Sequence, residues 1–260
     1  MQHLRRLQVK GQSWGEIEGH PRLEQINKLQ TLSDVKAGKW MEGCLGNLTN
    51  LRKLGIRLST EADAEVWYES IANLVCLQSL TVVALGKELE TIGLSVPPLS
   101  HLLRLSKLRL QVKLEKLPES TEFPTNLSKL ILSDSCLEQD PLATLEKLKN
   151  LRILRLYGSF EGVEMACSAQ GFPRLESLHL QFLPQLEEWR VEEGAMPSLL
   201  HLKIKNCRRL NQLPGGLQHL TSLKKLELWE MADEFKERLR EDGGDDWHKI
   251  RHIPSIHTWQ

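Results

Sequence analysis

Leucine recurs along this chain in a six-residue pattern, Leu-x-x-Leu-x-aliphatic, that begins at Leu4, Leu51, Leu77, Leu105, Leu127, Leu151, Leu175, Leu199 and Leu223. A weaker copy begins at Leu29, where Leu32 and Val35 follow. The steps between successive starts are 25, 22, 26, 28, 22, 24, 24, 24 and 24 residues. In the Leu-x-Leu part, alternate side chains point to opposite sides of a strand, so two aliphatic residues turn inward and the third, fifth and seventh positions turn outward. One such unit cannot bury its own leucines. Stacking them predicts a parallel sheet backed by a continuous aliphatic column.

The segments between strands carry the apolar residues needed to close that column from behind: Leu48, Ile71 and Leu74, Leu145 and Leu148, Leu217 and Leu220. Their three-residue spacings predict short helices or 3₁₀ turns. Residues 60–74, with Glu61, Asp63, Glu65, Val66, Glu69, Ile71 and Leu74, predict one longer amphipathic helix. Prolines at Pro97, Pro98, Pro124, Pro173, Pro197 and Pro214 stand where strands are approached or left. A period of 20 to 29 residues with this consensus is the mark of leucine-rich repeats. The expected fold is therefore α/β, a leucine-rich-repeat solenoid or horseshoe of about ten irregular repeats with a concave parallel sheet. Residues 1–230 are assigned to the solenoid. Residues 231–260, where the repeat gives way to charged residues and then Trp247, Ile250, Ile253, Ile256 and Trp259, are expected to form a C-terminal cap. Leu4 enters the first strand with no polar capping element ahead of it, so the chain is expected to continue upstream.

Composition narrows the function. Lys plus Arg and Asp plus Glu number 34 each, which gives no global drive toward nucleic acid or anionic membrane. No window holds the apolar run of a secretory signal or a membrane span, and a cytoplasmic location is expected. The five cysteines, Cys44, Cys76, Cys136, Cys167 and Cys207, form no CxxC pair and are expected as buried free thiols. No phosphate-binding glycine loop is present, so no cofactor is expected. His248 and His252 lack the glutamate of a zinc-protease motif, and the aspartates of 242–246 lack calcium-loop spacing and read as a solvated turn. The sequons at Asn47 and Asn126 are treated as incidental. An enzyme is not expected, because an open repeat sheet rarely builds a cleft of convergent titratable groups.

The outward positions carry the strongest functional signal. Taken over ten repeats they give thirty sites, of which eleven are basic: Arg6, Lys10, Lys53, Arg57, Lys107, Arg109, Lys129, Arg155, Lys203, Lys205 and Lys225. Only Glu227 is acidic, where a random placement of this composition gives about four of each sign. Acidic residues gather between the strands, among them Glu16, Glu18, Glu61, Asp63, Glu65, Glu115, Glu119, Glu187, Glu188, Glu192 and Glu193. The expectation is a face that is basic inside and acidic outside, fit for an acidic protein partner, although Lys and Arg could also serve only to keep the sheet soluble. Toward the C-terminus Ile153, Tyr157, His179, His201 and Trp229 join the outward set. Tyr157 and Trp229 beside cations are the makings of binding hot spots, and Trp229 could alternatively lie under the cap.

The segments 183–189 (LPQLEEW), 196–207 (MPSLLHLKIKNC) and 210–220 (LNQLPGGLQHL), followed by 246–256 (DWHKIRHIPSI), resemble the closing repeats of plant nucleotide-binding leucine-rich-repeat disease-resistance receptors of the coiled-coil class. Leu29 to Leu32 and Leu48 to Leu51 resemble their early repeats. The resemblance implies a protein-binding sensor that recognises a pathogen effector or a modified host protein and holds the receptor inactive until it does so. It implies contact with the receptor's own coiled-coil or nucleotide-binding domain, and it places the family's ATP/ADP site in a domain this chain lacks. The alternative is a free-standing repeat adaptor or the substrate-recognition scaffold of a ubiquitin ligase.

Overall fold

A computed structural model describes residues 4–8, 28–84 and 93–259. Lys10, Glu16 and Glu18 lie outside the described residues. The chain divides into two compact units, residues 1–127 and 128–260.

In the first unit five parallel strands follow one another in chain order: β1 (Arg6–Gln8), β2 (Thr31–Lys36), β3 (Lys53–Leu58), β4 (Ser79–Ala84) and β5 (Lys107–Gln111). Register aligns the leucine pattern across them. Leu32, Leu54, Leu80 and Leu108 form one buried row, and Val35, Ile56, Val82 and Leu110 a second. The first leucines of four repeats, Leu29, Leu51, Leu77 and Leu105, are fully buried as well, whereas Leu4 is half-buried. The row through Val35 closes only because β2 carries a bulge: the register shifts by one residue between Leu32 and Val35. Asp34 takes up the extra residue with a φ of 63°. Val35, the aliphatic residue of the weak copy, is a core residue, and Lys36 lies opposite Arg57.

The amphipathic segment forms α1 (Glu61–Ile71). Thr60 caps it, accepting from the Asp63 N–H, while the Asp63 carboxylate accepts from the Thr60 N–H at 3.0 Å. Trp67, Ile71 and Leu74 are fully buried.

The second unit also contains parallel strands in chain order, β6 (Lys129–Ser133), β7 (Ile153–Tyr157), β9 (Ser177–Gln181), β11 (His201–Lys205), β12 (Lys225–Trp229) and β13 (Ser255–Trp259). Between them, β8 (Glu164–Cys167) pairs with β10 (Glu188–Val191) in a separate two-stranded parallel sheet. Leu130, Leu154, Leu178, Leu202 and Leu226 line one core row, and Leu132, Leu156, Leu180, Ile204 and Leu228 the next. Here the equal 24-residue spacing has a backbone counterpart. The residue after each of five strands, Asp134, Gly158, Phe182, Asn206 and Glu230, has φ between 51° and 54°. Each donates its N–H to the last carbonyl of the following strand, as Phe182 does to Lys205 at 2.8 Å. Asp, Gly and Asn tolerate this left-handed conformation, whereas Phe182 and Glu230 hold it under strain.

A short α2 (Leu142–Leu145) begins a return segment. Asp140 accepts from the Ala166 N–H at 2.8 Å and Glu146 from the Ser168 N–H at 2.7 Å. These carboxylates satisfy one amide of β8 and the amide of the residue just after it, where a further strand would otherwise pair. Gly216, in the LPGG stretch, passes so close to Val191 that an added Cβ would stand 2.1 Å from the Val191 carbonyl oxygen.

The C-terminal segment, residues 231–260, follows β12. It contains α3 (Asp233–Glu237) and α4 (Trp247–Ile250), and its last residues add β13 in register with β12, Trp229 opposite Trp259. Asp246, read from sequence as part of a solvated turn, is 1% exposed and pins this segment. It accepts from the Leu213 N–H at 2.9 Å, from Arg238 at 3.0 Å and from the Lys249 ammonium at 2.8 Å, while Lys249 also donates to the Leu213 carbonyl. Burial raises its proton affinity, but these donors outweigh burial and hold the carboxyl below the usual aspartate range.

Candidate protein-binding faces

The side of each sheet opposite its leucine rows is the open face, and the outward positions of each unit gather on it. In the first unit Arg6, Thr31, Lys53, Ser79 and Lys107 form one cross-strand row. Thr31 and Ser79 separate the cations, so Arg6, Lys53 and Lys107 lie two strands, or about 10 Å, apart. That spacing avoids the penalty of like charges directly opposite one another. Gly55, Thr81 and Arg109 form the next row, and Lys36, Arg57, Val83 and Gln111 the third. Arg6, Lys53, Lys107 and Arg109 are exposed. Arg109 reaches Gln111 Oε1 at 3.1 Å, and the half-buried Arg57 pairs with Asp34 at 3.3 Å. Asp34 is an acidic group on this face that counting to the third, fifth and seventh positions skips, because the bulge moves it there.

The second unit's face is built differently. Its first row runs Lys129, Ile153, Ser177, His201, Lys225, Ser255; its middle row Ile131, Arg155, His179, Lys203, Glu227, His257; its third Ser133, Tyr157, Gln181, Lys205, Trp229, Trp259. Most of these side chains are half-buried rather than exposed, and several have partners on the face itself. Glu227 is 9% exposed and is bound by His201 and by Lys225 at 3.3 Å. Burial raises its proton affinity, but these two donors more than offset that and hold it below the usual glutamate range. Lys205 pairs with Glu230 at 2.9 Å. Beside Glu227, the acidic outward residue read from sequence, Glu230 also neutralises part of the basic character of this unit's face.

His179 lies deeper than an outward position suggests, at 9% exposure. Burial, then Arg155, His201 and Lys203, push its pKa down to about 4, so at neutral pH an uncharged ring separates two cations in the row. Trp229 is half-buried, stacked on Trp259 with ring centroids 4.0 Å apart and planes 18° from parallel. Lys203 lies over its ring at 4.9 Å. Tyr157, 41% exposed, packs on Phe182 at 4.6 Å, and Lys205 lies over Phe182 at 5.4 Å. Sequence counting missed Phe182 and Glu230, because both sit one position past the strand. The left-handed turn swings them into reach of Lys205. The placing of Asp134, Gly158 and Asn206 24 and then 48 residues apart, in step with the repeat, was the available signal for that turn.

Among the described residues no group of three or more His, Cys, Asp or Glu side chains is placed to hold a metal ion. No helix among them is long and apolar enough to cross a membrane. Cys44, Cys167 and Cys207 are buried free thiols, with Cys207 pushed by burial to about 12, whereas Cys76 and Cys136 are half-buried, shallower than expected. A cleft in the first unit between the 3₁₀ turns near Met41 and α1 is lined by Glu42, Asn47, Glu69, Ser70 and Asn73. The Ser70 hydroxyl donates to the Val66 carbonyl at 2.8 Å. An open repeat sheet of this kind is a surface for protein interaction.

Comparison with known proteins agrees with this architecture. The family described as "Leucine-rich repeat region" matches residues 1–243. "Probable disease resistance RPP8-like protein 4" of Arabidopsis thaliana is 39% identical over 80% of this chain and 23% of its own length. "Disease resistance protein RPP8" is 38% identical over the same shares, and "Probable disease resistance RPP8-like protein 2" is 37% identical over 90% of this chain and 26% of its own. The chain therefore spans about a quarter of the length of these relatives. Repeat spacing, register and relatives converge: the chain belongs to the leucine-rich repeat region family and is related to plant disease-resistance proteins.

Proposed function

We propose that this chain is the protein-binding sensor and autoinhibitory part of an intracellular plant immune receptor, and that its open faces bind acidic surfaces of other proteins. The observation that carries this reading is the exposed row of Arg6, Lys53 and Lys107 with Arg109 beside it, spaced by small polar residues. The cations in such an array keep their charge and reach, and they suit carboxylates on a partner better than they suit one another. The partners are the receptor's own coiled-coil or nucleotide-binding domain and a pathogen effector or guarded host protein. Membership in a family of resistance-protein relatives supports the same reading.

Co-expression with the part of RPP8 outside the matched region tests it. Association is expected, weakening as salt rises and lost when Lys53, Lys107 and Arg109 are all changed to Glu. Absence of association, or salt-insensitive association that survives the triple variant, would overturn the reading. Because the wild-type row is exposed, the triple variant is expected to fold.

A further inference from the structure

Six buried side-chain polar atoms lack a hydrogen-bond partner among the described residues, and three of them belong to the open face of the second unit: Arg155 Nε, His179 Nε2 and Trp229 Nε1. Buried nitrogens without acceptors are costly, and two of these, Arg155 Nε and His179 Nε2, meet on the neighbouring strands β7 and β9, a place where an acceptor is wanted, while Trp229 lies on β12, two strands beyond β9. Arg155 and His179 are direct register partners, as are His179 and Lys203. The carboxylates nearby are engaged elsewhere, Glu227 with His201 and Lys225 and Glu230 with Lys205.

We propose that Arg155, His179 and Lys203 form a receptor for a single carboxylate side chain carried by an acidic segment of a protein partner, flanked by the Trp229–Trp259 stack and the Tyr157–Phe182 pair. This deepens the reading of the open faces as acidic-partner surfaces and rests on it. A carboxylate offers about four lone-pair sites, enough to accept from Arg155 and His179 while lying beside the Lys203 ammonium. A continuous phosphate backbone fits less well, because Glu227 and Glu230 on the same face oppose it. A peptide can place one carboxylate between them and lay apolar side chains on the aromatic flanks.

The receptor couples binding to protonation. In the free chain the groups facing His179 are Arg155 from β7, His201 and Lys203 from β11 and Glu227 from β12, and the cations among them, with burial, keep the ring neutral. An arriving carboxylate counters those cations, so the bound ring takes up a proton. Binding then strengthens as pH falls from neutrality, until the ligand's own carboxylates protonate.

The capped peptide acetyl-Glu-Glu-Glu-Glu-amide, titrated into the whole chain carrying ¹³C-labelled histidine, tests this by NMR. The His179 ring resonances, assigned with His179→Gln, are expected to report a pKa raised by about two units or more at saturation. Peptide affinity is expected to rise at least about threefold between pH 7.5 and 5.5. His179→Gln should flatten that dependence, and Arg155→Gln should weaken binding about fivefold or more. Peptide binding with an unchanged His179 titration would overturn the receptor while leaving the wider acidic-partner reading standing. No peptide binding at any pH, even by wild type, would overturn the receptor and count against the wider reading as well. The wild-type titration decides the matter even where a variant fails to fold.

Discussion

The two open faces start from the same outward positions and end as different surfaces. In the first unit Arg6, Lys53, Lys107 and Arg109 stand exposed, with Thr31, Ser79 and Thr81 between them, and Arg57 is tied to Asp34, which the bulge delivers. In the second, Glu227, Glu230 and the aromatic rings tie the corresponding positions down, so the face is preorganised and partly neutral. A left-handed turn after each of five strands in the second unit brings Phe182 and Glu230 to its face, whereas the described residues after β2, β3 and β5, Ala37, Ser59 and Val112, do not take that conformation. Exposed charge suits steering and salt-sensitive docking, whereas a packed face of aromatics and paired charges suits specific contact.

The difference can be broken first at the frame that holds the second unit's face. Asp246→Ala leaves Lys249 buried without its charge partner and is expected to cost about 3 to 5 kcal/mol in denaturant unfolding. The leucine rows give a control that treats the two units alike. Leu108→Ala and Leu154→Ala should each cost roughly 2 to 5 kcal/mol, since both residues are fully packed; a marked difference would place the contrast in the cores rather than the faces. Glu227→Gln removes the negative charge shared by His201 and Lys225, leaving a single neutral acceptor oxygen, and should cost about 1 to 3 kcal/mol.

Acid titration should sharpen the contrast at an intermediate scale. The folded His179 pKa lies below its unfolded value of 6.5, so the unfolded chain binds a proton that the folded one refuses. Stability contributed by the neutral ring is present above 6.5 and is lost as pH falls toward about 4. His179→Gln should make unfolding less pH-dependent across that window. Smallest of all, Lys107→Gln should change stability by no more than about 0.5 kcal/mol while weakening association with an acidic partner.

The leucine spacing made the repeat, the direction of pairing and the buried rows legible, because each depends on a period that one residue type enforces. Most outward positions followed by simple alternation. What escaped was local. The bulge at Asp34 depends on one extra residue between Leu32 and Val35, which a weak copy of the motif does not announce. Phe182 and Glu230 escaped because alternation ends where the left-handed turn begins. The burial of Asp246 and the depth of His179 depend on partners 33 residues away and on neighbouring strands, which no linear pattern encodes.

Zero-length carboxyl-to-amine crosslinking of the chain to the remainder of RPP8, mapped by mass spectrometry, addresses most directly which face binds. Crosslinks are expected at Lys53 and Lys107 on the open face of the first unit, falling away as salt rises. Crosslinks confined to Lys39 and Lys116, exposed in the segments between strands, would contradict the assignment of binding to the open face.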